Sequence, residues 1–233
     1  MKRTDVVLIT GTSRGIGRHL AEHFLKKGSI VYGCSRSPVE RPRPGYFHHV
    51  ADVTNENQVK TMFSSIKKHH GRLDITINNA GIASMNHFLL MPVSTARKIV
   101  DTNLIGTFLI CRESVKLMKK RRYGRIINFS SVAVPLNIEG EAVYAASKSA
   151  VGTLTRIIAR EVSPYGITCN AIGPAPVRTD LLQGISSKKL DRLINSLTIK
   201  KFCTFGDITN IVDFLVAPAS GSITGQVIYL GGP

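Results

Sequence analysis

Apolar, strand-like runs and amphipathic, helix-like runs alternate along this chain from one end to the other, and that alternation restricts the fold more than any other feature. "DVVLIT" leads into "GRHLAEHFLKKG"; "SIVYGCS" and "YFHHVADVT" are followed by "NENQVKTMFSSIKKHHG"; "LDITINNAG" precedes a long amphipathic stretch over 93–122 whose start is marked by Pro92 and Ser94. "RIINFSSV", a helix beginning near "AVYAASK", then "GITCNAIGP", "DITNIVDFLV" and "GQVIYLGG" complete the series. The strands are continuously apolar rather than alternating, so both of their faces are buried. This predicts an α/β fold with a doubly wound parallel sheet and helices on both faces. With 233 residues, 43% of them hydrophobic, and no internal repeat or long linker, one domain over 1–233 is expected.

In such sheets ligands bind beyond the carboxyl ends of the strands. The first of these turns reads "TGTSRGIG", Thr10 to Gly17. Gly11, Gly15 and Gly17 form a turn that opens a helix, suited to bringing backbone N–H groups and the positive helix end against a pyrophosphate, as in Rossmann-type dinucleotide sites. The end of the second strand then reports which dinucleotide is wanted. A free adenosine ribose is usually held there by Asp or Glu, whereas a 2′-phosphate needs cations. Here "CSRS" places Arg36 at that point, and Arg14 inside the glycine turn reaches towards the same ribose. Both point to NADPH/NADP+ rather than NADH.

The second candidate centre is "YAASK", with Tyr144 and Lys148 four residues apart on one helix face. An ammonium beside the phenol favours phenolate. Bringing a tyrosine from pH 10 to about 7 takes roughly 4 kcal/mol, more than one exposed cation supplies, so a second positive charge or burial is needed. From the spacing alone, an ordinary amphipathic helix would carry the same pair.

Taken together, "TGTSRGIG", Asp52-Val53, "NNAG" at 78–81, Asn103, Ser131, "YAASK", "NAIGP" and "ITGQ" resemble the short-chain dehydrogenase/reductase family, in its order and over nearly the whole chain. The resemblance implies that Tyr144 donates a proton to a carbonyl oxygen as hydride reaches the carbon, and that Ser131 orients that oxygen. It implies that Lys148 bridges the nicotinamide ribose and lowers the tyrosine pKa, and that Asn103 holds a water leading to bulk solvent. For the cofactor it implies contacts from Gly11, Ser13, Arg14, Gly15, Ile16, Gly17, Arg36, Asp52, Val53, Asn79, Ala80, Gly81, Tyr144, Lys148, Val177 and Thr179. Two departures stand out: the family's Pro-Gly after the sixth strand is Pro174-Ala175, and the residue before the final glycine is Gly231 instead of an acid or amide.

Among subfamilies the pattern is nearest to the beta-ketoacyl-acyl-carrier-protein reductases. That implies reduction of a 3-oxoacyl thioester, with Arg122 in the basic stretch "KLMKKRRYGR" meeting an acidic carrier; a second basic position of that group is Tyr165 here. Residues 181–205 are expected to form a substrate lid, with Leu181, Leu182, Ile185 and Leu193 as an apolar wall. A ketoreductase for sugars, polyketides or other ketones, or a regulator that senses NADP(H) without catalysis, fits the same framework. Homo-oligomerisation, as a dimer or tetramer, is implied as well.

The net charge of +16, from 31 Lys+Arg against 15 Asp+Glu, suits polyanions in general, or a solvated basic face, but no nucleic-acid-binding signature accompanies it. Cys34, Cys111, Cys169 and Cys203 are too scattered for a zinc site or a disulfide framework, so no metal is expected. No membrane span or signal peptide is apparent, which gives a cytoplasmic expectation.

Overall fold

The computed structural model describes residues 4–39, 43–182 and 186–233. Seven strands form one parallel sheet in the order β3-β2-β1-β4-β5-β6-β7: β1 (Val6–Thr10), β2 (Ile30–Ser35), β3 (Tyr46–Val50), β4 (Ile75–Asn78), β5 (Gly124–Phe129), β6 (Ile167–Gly173) and β7 (Val227–Tyr229). The chain reverses its direction of travel across the sheet between β1 and β4, and a crevice opens beyond their carboxyl ends. In β1, β4, β5 and β6 the side chains of both strand faces are buried, whereas the edge strands β3 and β7 are only partly covered. Val6, Leu8 and Ile126 pack under α2 (Glu56–His70) and α4 (Gly106–Met118), whereas Val7, Ile9, Ile77 and Ile127 pack under α1 (Gly15–Lys26) and α8 (Phe205–Val216). At about 1.5–3 kcal/mol per buried aliphatic side chain, this two-sided core explains why the strands read as unbroken apolar runs.

Local signals set the helix ends. The Asn55 side chain accepts the N–H groups of Asn57 and Gln58 at the start of α2, and Gly71, at φ +63°, ends it. Thr204 and Asp207 form a reciprocal capping box on α8.

The helix expected over 93–122 is broken. It consists of α3 (Val93–Val100), a π-turn over Asp101–Ile105, α4, and a 3-10 turn over Lys119–Arg121. Asn103 causes the break. Its side chain accepts the Ile82 N–H (2.9 Å) and donates to the Ile82 carbonyl (3.0 Å), while Thr107 Oγ1 donates to the Asn103 carbonyl at 2.7 Å. These bonds stabilise one extra residue in the turn. Two further helices lie between the expected elements: α5 (Ala133–Leu136), and α7 (Ser187–Ser196) within the segment expected as a lid. The helix bearing "YAASK" is α6 (Ala142–Val162). All four cysteines are buried and unpaired. Among the described residues no helix is long and apolar enough to cross a membrane, and no group of three His, Cys, Asp or Glu side chains could hold a metal ion.

Candidate active site

The carboxyl ends of β1, β2 and β4 border a cleft of about 510 Å³. Gly11 and Gly15 line it with φ of +74° and +57°, a backbone region that favours glycine. Gly17 does not line the cleft. A side-chain carbon there would collide with the Gly11 carbonyl oxygen, so its role is to let α1 pack tightly against the turn. Asn79 closes this unit from the next strand, its amide donating to the Thr10 carbonyl (2.9 Å) and the Gly11 carbonyl (3.2 Å); the Ala80 N–H donates to Thr10 Oγ1. Asp52 and Val53 border the same cleft, with Asp52 Oδ1 accepting from Thr54 and Val53 also packed against Gly106. Ser13, Ile16, Ala80, Gly81 and Thr179 complete the expected residues found there.

Arg14 and Arg36 lie at the same end of the cleft but in different states. Arg14 is paired with Asp180 at 3.1 Å, with both side chains largely exposed. Arg36 is exposed and has no hydrogen-bond or ion-pair partner among the described residues. The turn carrying Arg36 is held from behind. Ser35 Oγ donates to the Ser37 carbonyl (2.7 Å), and His48 Nε2 reaches the same carbonyl at 3.1 Å. His48 Nδ1 then meets Tyr46 Oη, which donates to Thr12 Oγ1 in the glycine turn. Gly33 makes room for Tyr46, since any side-chain carbon there would collide with the phenol oxygen. Nothing in the motif spacing pointed to this linkage.

The second group of expected residues lies where β5 meets α6. Tyr144 is buried beside Ser131, whose Oγ accepts the Ala133 N–H at 3.1 Å. Lys148 is buried too. Its ammonium donates to the Phe129 carbonyl at 2.9 Å and lies 5.9 Å from the Tyr144 ring centre. A side-chain carbon at Gly81 would lie 3.2 Å from Asn103 Oδ1 and 3.3 Å from the Lys148 ammonium, so the glycine leaves that space open. The remaining Asn103 amide bond goes to Ser147 Oγ at 3.0 Å, so in this structure the Asn103 side chain ties α6 to the segment after β4.

The electrostatics differ from the expected tyrosine shift. Burial pushes the Tyr144 phenol up to about 12; the Ser131 hydrogen bond opposes this, and the charge of Glu141 adds to it. Desolvation pushes Lys148 itself down to about 8. The phenol is therefore protonated at neutral pH, the state an acid catalyst requires.

The lysine value makes a stability prediction. Its folded value lies below the usual 10.5, so a charged Lys148 destabilises the fold; the penalty is present in full below pH 8 and fades as pH rises towards 10.5. The gap converts to about 3 kcal/mol, of which an orphaned Phe129 carbonyl would cancel about 1–2. Lys148→Met is expected to raise the thermal midpoint of the cofactor-free protein at pH 7, with the gain shrinking by pH 10. Equal gains at both pH values would contradict this reading of the lysine.

A second cavity, of about 360 Å³, adjoins the first where Ile16 and Thr179 line both. Ser131 and Tyr144 border it, as do Val177, Leu182 and Leu193. Ile185 and the Leu181 side chain, expected in the same wall, lie outside the described residues. The two departures from the family pattern meet here. A side-chain carbon at Gly231 would lie 2.9 Å from the Ala175 methyl, so the methyl gained at 175 faces the side chain lost at 231. Glu141, which the motifs did not single out, also borders this cavity.

The basic stretch does not. Lys116, Lys119, Lys120, Arg121 and Arg122 are exposed, but they immediately precede β5, whereas Ser131 follows it. Six residues of strand, about 20 Å, separate the two ends. Arg125, counted with this stretch in the sequence, is buried against Tyr123 and does not belong to the basic surface.

Comparison with known proteins accords with this arrangement. Residues 11–232 match the family model described as Enoyl-(Acyl carrier protein) reductase. The 3-oxoacyl-[acyl-carrier-protein] reductase FabG of Staphylococcus aureus is 33% identical over 242 residues, covering 100% of this chain and 98% of the relative. Among solved structures, a putative gluconate dehydrogenase from Agrobacterium tumefaciens superposes with a TM-score of 0.91 at 31% identity, covering 98% of this chain and 94% of the other. A tyrosine-to-phenylalanine variant of ElxO with NADPH bound gives 0.89 at 30% identity, covering 97% of each chain.

Proposed function

This chain belongs to the short-chain dehydrogenase/reductase family, and on that premise we propose that it is an NADPH-dependent oxidoreductase that reduces a ketone to a secondary alcohol, with a 3-oxoacyl thioester on a carrier protein as the leading substrate. The observation that carries the reading is the buried Tyr144 phenol, protonated at neutral pH and beside the half-buried Ser131, in a cavity that adjoins the glycine-lined cleft. The cleft suits a 2′-phosphorylated dinucleotide: two glycines in left-handed backbone leave room for a pyrophosphate, and Arg36 has no competing partner. NADPH supplies hydride when bound. Tyr144 gives its proton to the substrate oxygen, so alkoxide charge never fully develops, and Ser131 donates a hydrogen bond to the same oxygen. Lys148, fixed by Phe129, places positive charge near the transient phenolate, and Asn103 holds α6 in register with the segment after β4.

Residues 181–205 serve as the lid in this reading, with Leu182 and Leu193 against the acyl chain. Self-association is supported by exposed Phe88, Leu89, Leu90 and Val93, together with Ile105, Phe108 and Ile157. A carrier docked on Arg122 would sit at the amino end of β5, one strand length from Ser131 in the same chain. The second reading, a reductase of hydroxylated ketones such as sugars, is favoured by the Glu141 carboxyl in the substrate cavity and by the likeness to a protein named for gluconate.

The test is the loss of reduced-nicotinamide absorbance with an acetoacetyl thioester on carrier protein and on coenzyme A, with NADPH and with NADH, alongside a crotonyl thioester. NADPH-dependent turnover of the acetoacetyl carrier is expected. Failure on both acetoacetyl thioesters while NADPH binds would move the search to other ketones, and turnover of the crotonyl thioester alone would replace carbonyl by enoyl reduction.

A further inference from the structure

Glu141 has no part in the family chemistry, yet its surroundings are those of a binding group. Its side chain is 9% exposed and makes no hydrogen bond or ion pair among the described residues. It precedes α6 at the position that often caps a helix, but its carboxyl does not cap. The turn before it is rigid. Gly140 has a φ of +85°, its carbonyl accepts the Asn86 N–H at 2.9 Å, and the Glu141 N–H donates to the Ile138 carbonyl at 3.2 Å.

No group among the described residues competes for that carboxyl, whose oxygens open onto the adjoining cavity instead of being sealed in the core. Glu141 borders the same cavity as Ser131 and Tyr144, one helical turn before the tyrosine. Of the residues lining that cavity, only Glu141 and Tyr144 ionise. The Ala83–Met85 segment, the end of β5, the loop after β6, Leu182 and Leu193 contribute no titratable group, and Lys148 lies one turn beyond the tyrosine on α6. Burial holds the carboxyl above its ordinary pKa, and in either protonation state it keeps an acceptor oxygen.

We propose that Glu141 is a specificity-determining residue that accepts a hydrogen bond from an N–H or O–H group carried by the substrate close to its reacting ketone. This rests on the ketoreductase reading and narrows its substrate class: the ketone bears a hydrogen-bond donor and is not itself anionic there, because a carboxylate would repel it. Two sources offer the same chemistry, the amide N–H of a pantetheine-type thioester and the hydroxyl of a hydroxyketone.

The experiment compares matched pairs with NADPH. Acetoacetyl-N-acetylcysteamine, which has an amide N–H, is set against S-ethyl acetothioacetate, which has none; a hydroxyketone is set against its O-methyl ether. The protein is expected to favour the donor-bearing member of one pair, and the favoured pair identifies the source. In Glu141→Leu the ratio of kcat/KM between the two members should fall about 10- to 100-fold. Glu141→Gln, nearly isosteric and still an acceptor, should retain part of the ratio. Because it removes a charge that holds the Tyr144 phenol up, it should also move the alkaline limb of the pH–rate profile to lower pH.

A ratio unchanged in Glu141→Leu, or no preference within either pair in the parent protein, overturns the proposal and leaves the ketoreductase reading standing. No turnover of any of these ketones, with NADPH bound, overturns both.

Discussion

Tyr144→Phe is expected to lower ketone turnover by about 10³-fold while NADPH affinity stays within a few-fold of the parent value. The substitution removes one oxygen from a buried side chain and leaves the ring that Lys148 overlies, so little of the site is disturbed. What is lost is the proton donor. Ser131 keeps its bond from the Ala133 N–H and can still hydrogen-bond a carbonyl, but an aliphatic hydroxyl is a far weaker acid than a phenol, even one raised to about 12. Turnover and binding should therefore separate, read as kcat from nicotinamide absorbance and Kd from NADPH fluorescence. Lys148→Ala should damage both quantities. Retention of a tenth or more of the parent kcat by Tyr144→Phe would assign the proton to another group.

The second large effect concerns cofactor choice. Arg36→Asp should reduce the preference for NADPH over NADH by about 100-fold, measured as the ratio of the two kcat/KM values. Arg36 borders the cleft with no competing partner, so its whole charge is available to a 2′-phosphate, and a carboxylate in its place adds repulsion to the loss. Arg14 should contribute less, because reaching the same phosphate competes with its pairing to Asp180. An unchanged preference in Arg36→Asp would mean that the 2′-phosphate is read elsewhere.

Residues whose function depends on local chain geometry were legible in the sequence. Continuous runs such as "VVLIT" and "RIINF" declared strands buried on both faces, and the parallel order follows from the helices between them. The glycine turn and the Tyr144–Lys148 spacing were visible for the same reason. Features that depend on contacts between distant segments were not. The break at Asn103 arises from bonds to Ile82, 21 residues away, which no helical periodicity encodes. The Tyr46–His48 link needs β2, β3 and the first turn already assembled. Glu141 reads as a polar residue before a helix until the turn at Gly140 and the wall of the cavity are known.

The surroundings of the tyrosine are another feature that the helix spacing does not encode. Lys148 is on the same helix face as Tyr144, as the spacing requires, but its ammonium is bonded to the Phe129 carbonyl, and burial raises the phenol. Arg122 offers a simpler lesson in topology. A residue just before a parallel strand and one just after it lie at opposite ends of that strand, so the basic stretch and Ser131 are apart although Arg122 and Ser131 are only nine positions apart in sequence.

The central claim is that hydride passes from the nicotinamide to a carbonyl carbon while Tyr144 protonates the oxygen. Its most direct test is a turnover with NADPH deuterated at C4, each face in turn, and the best ketone substrate, followed by mass spectrometry and NMR of the product. The account predicts one deuterium on the new carbinol carbon, from one face only, and none in the parallel Tyr144→Phe reaction over the same time. Product without deuterium from either face, or with deuterium at a carbon other than the former carbonyl, would contradict it.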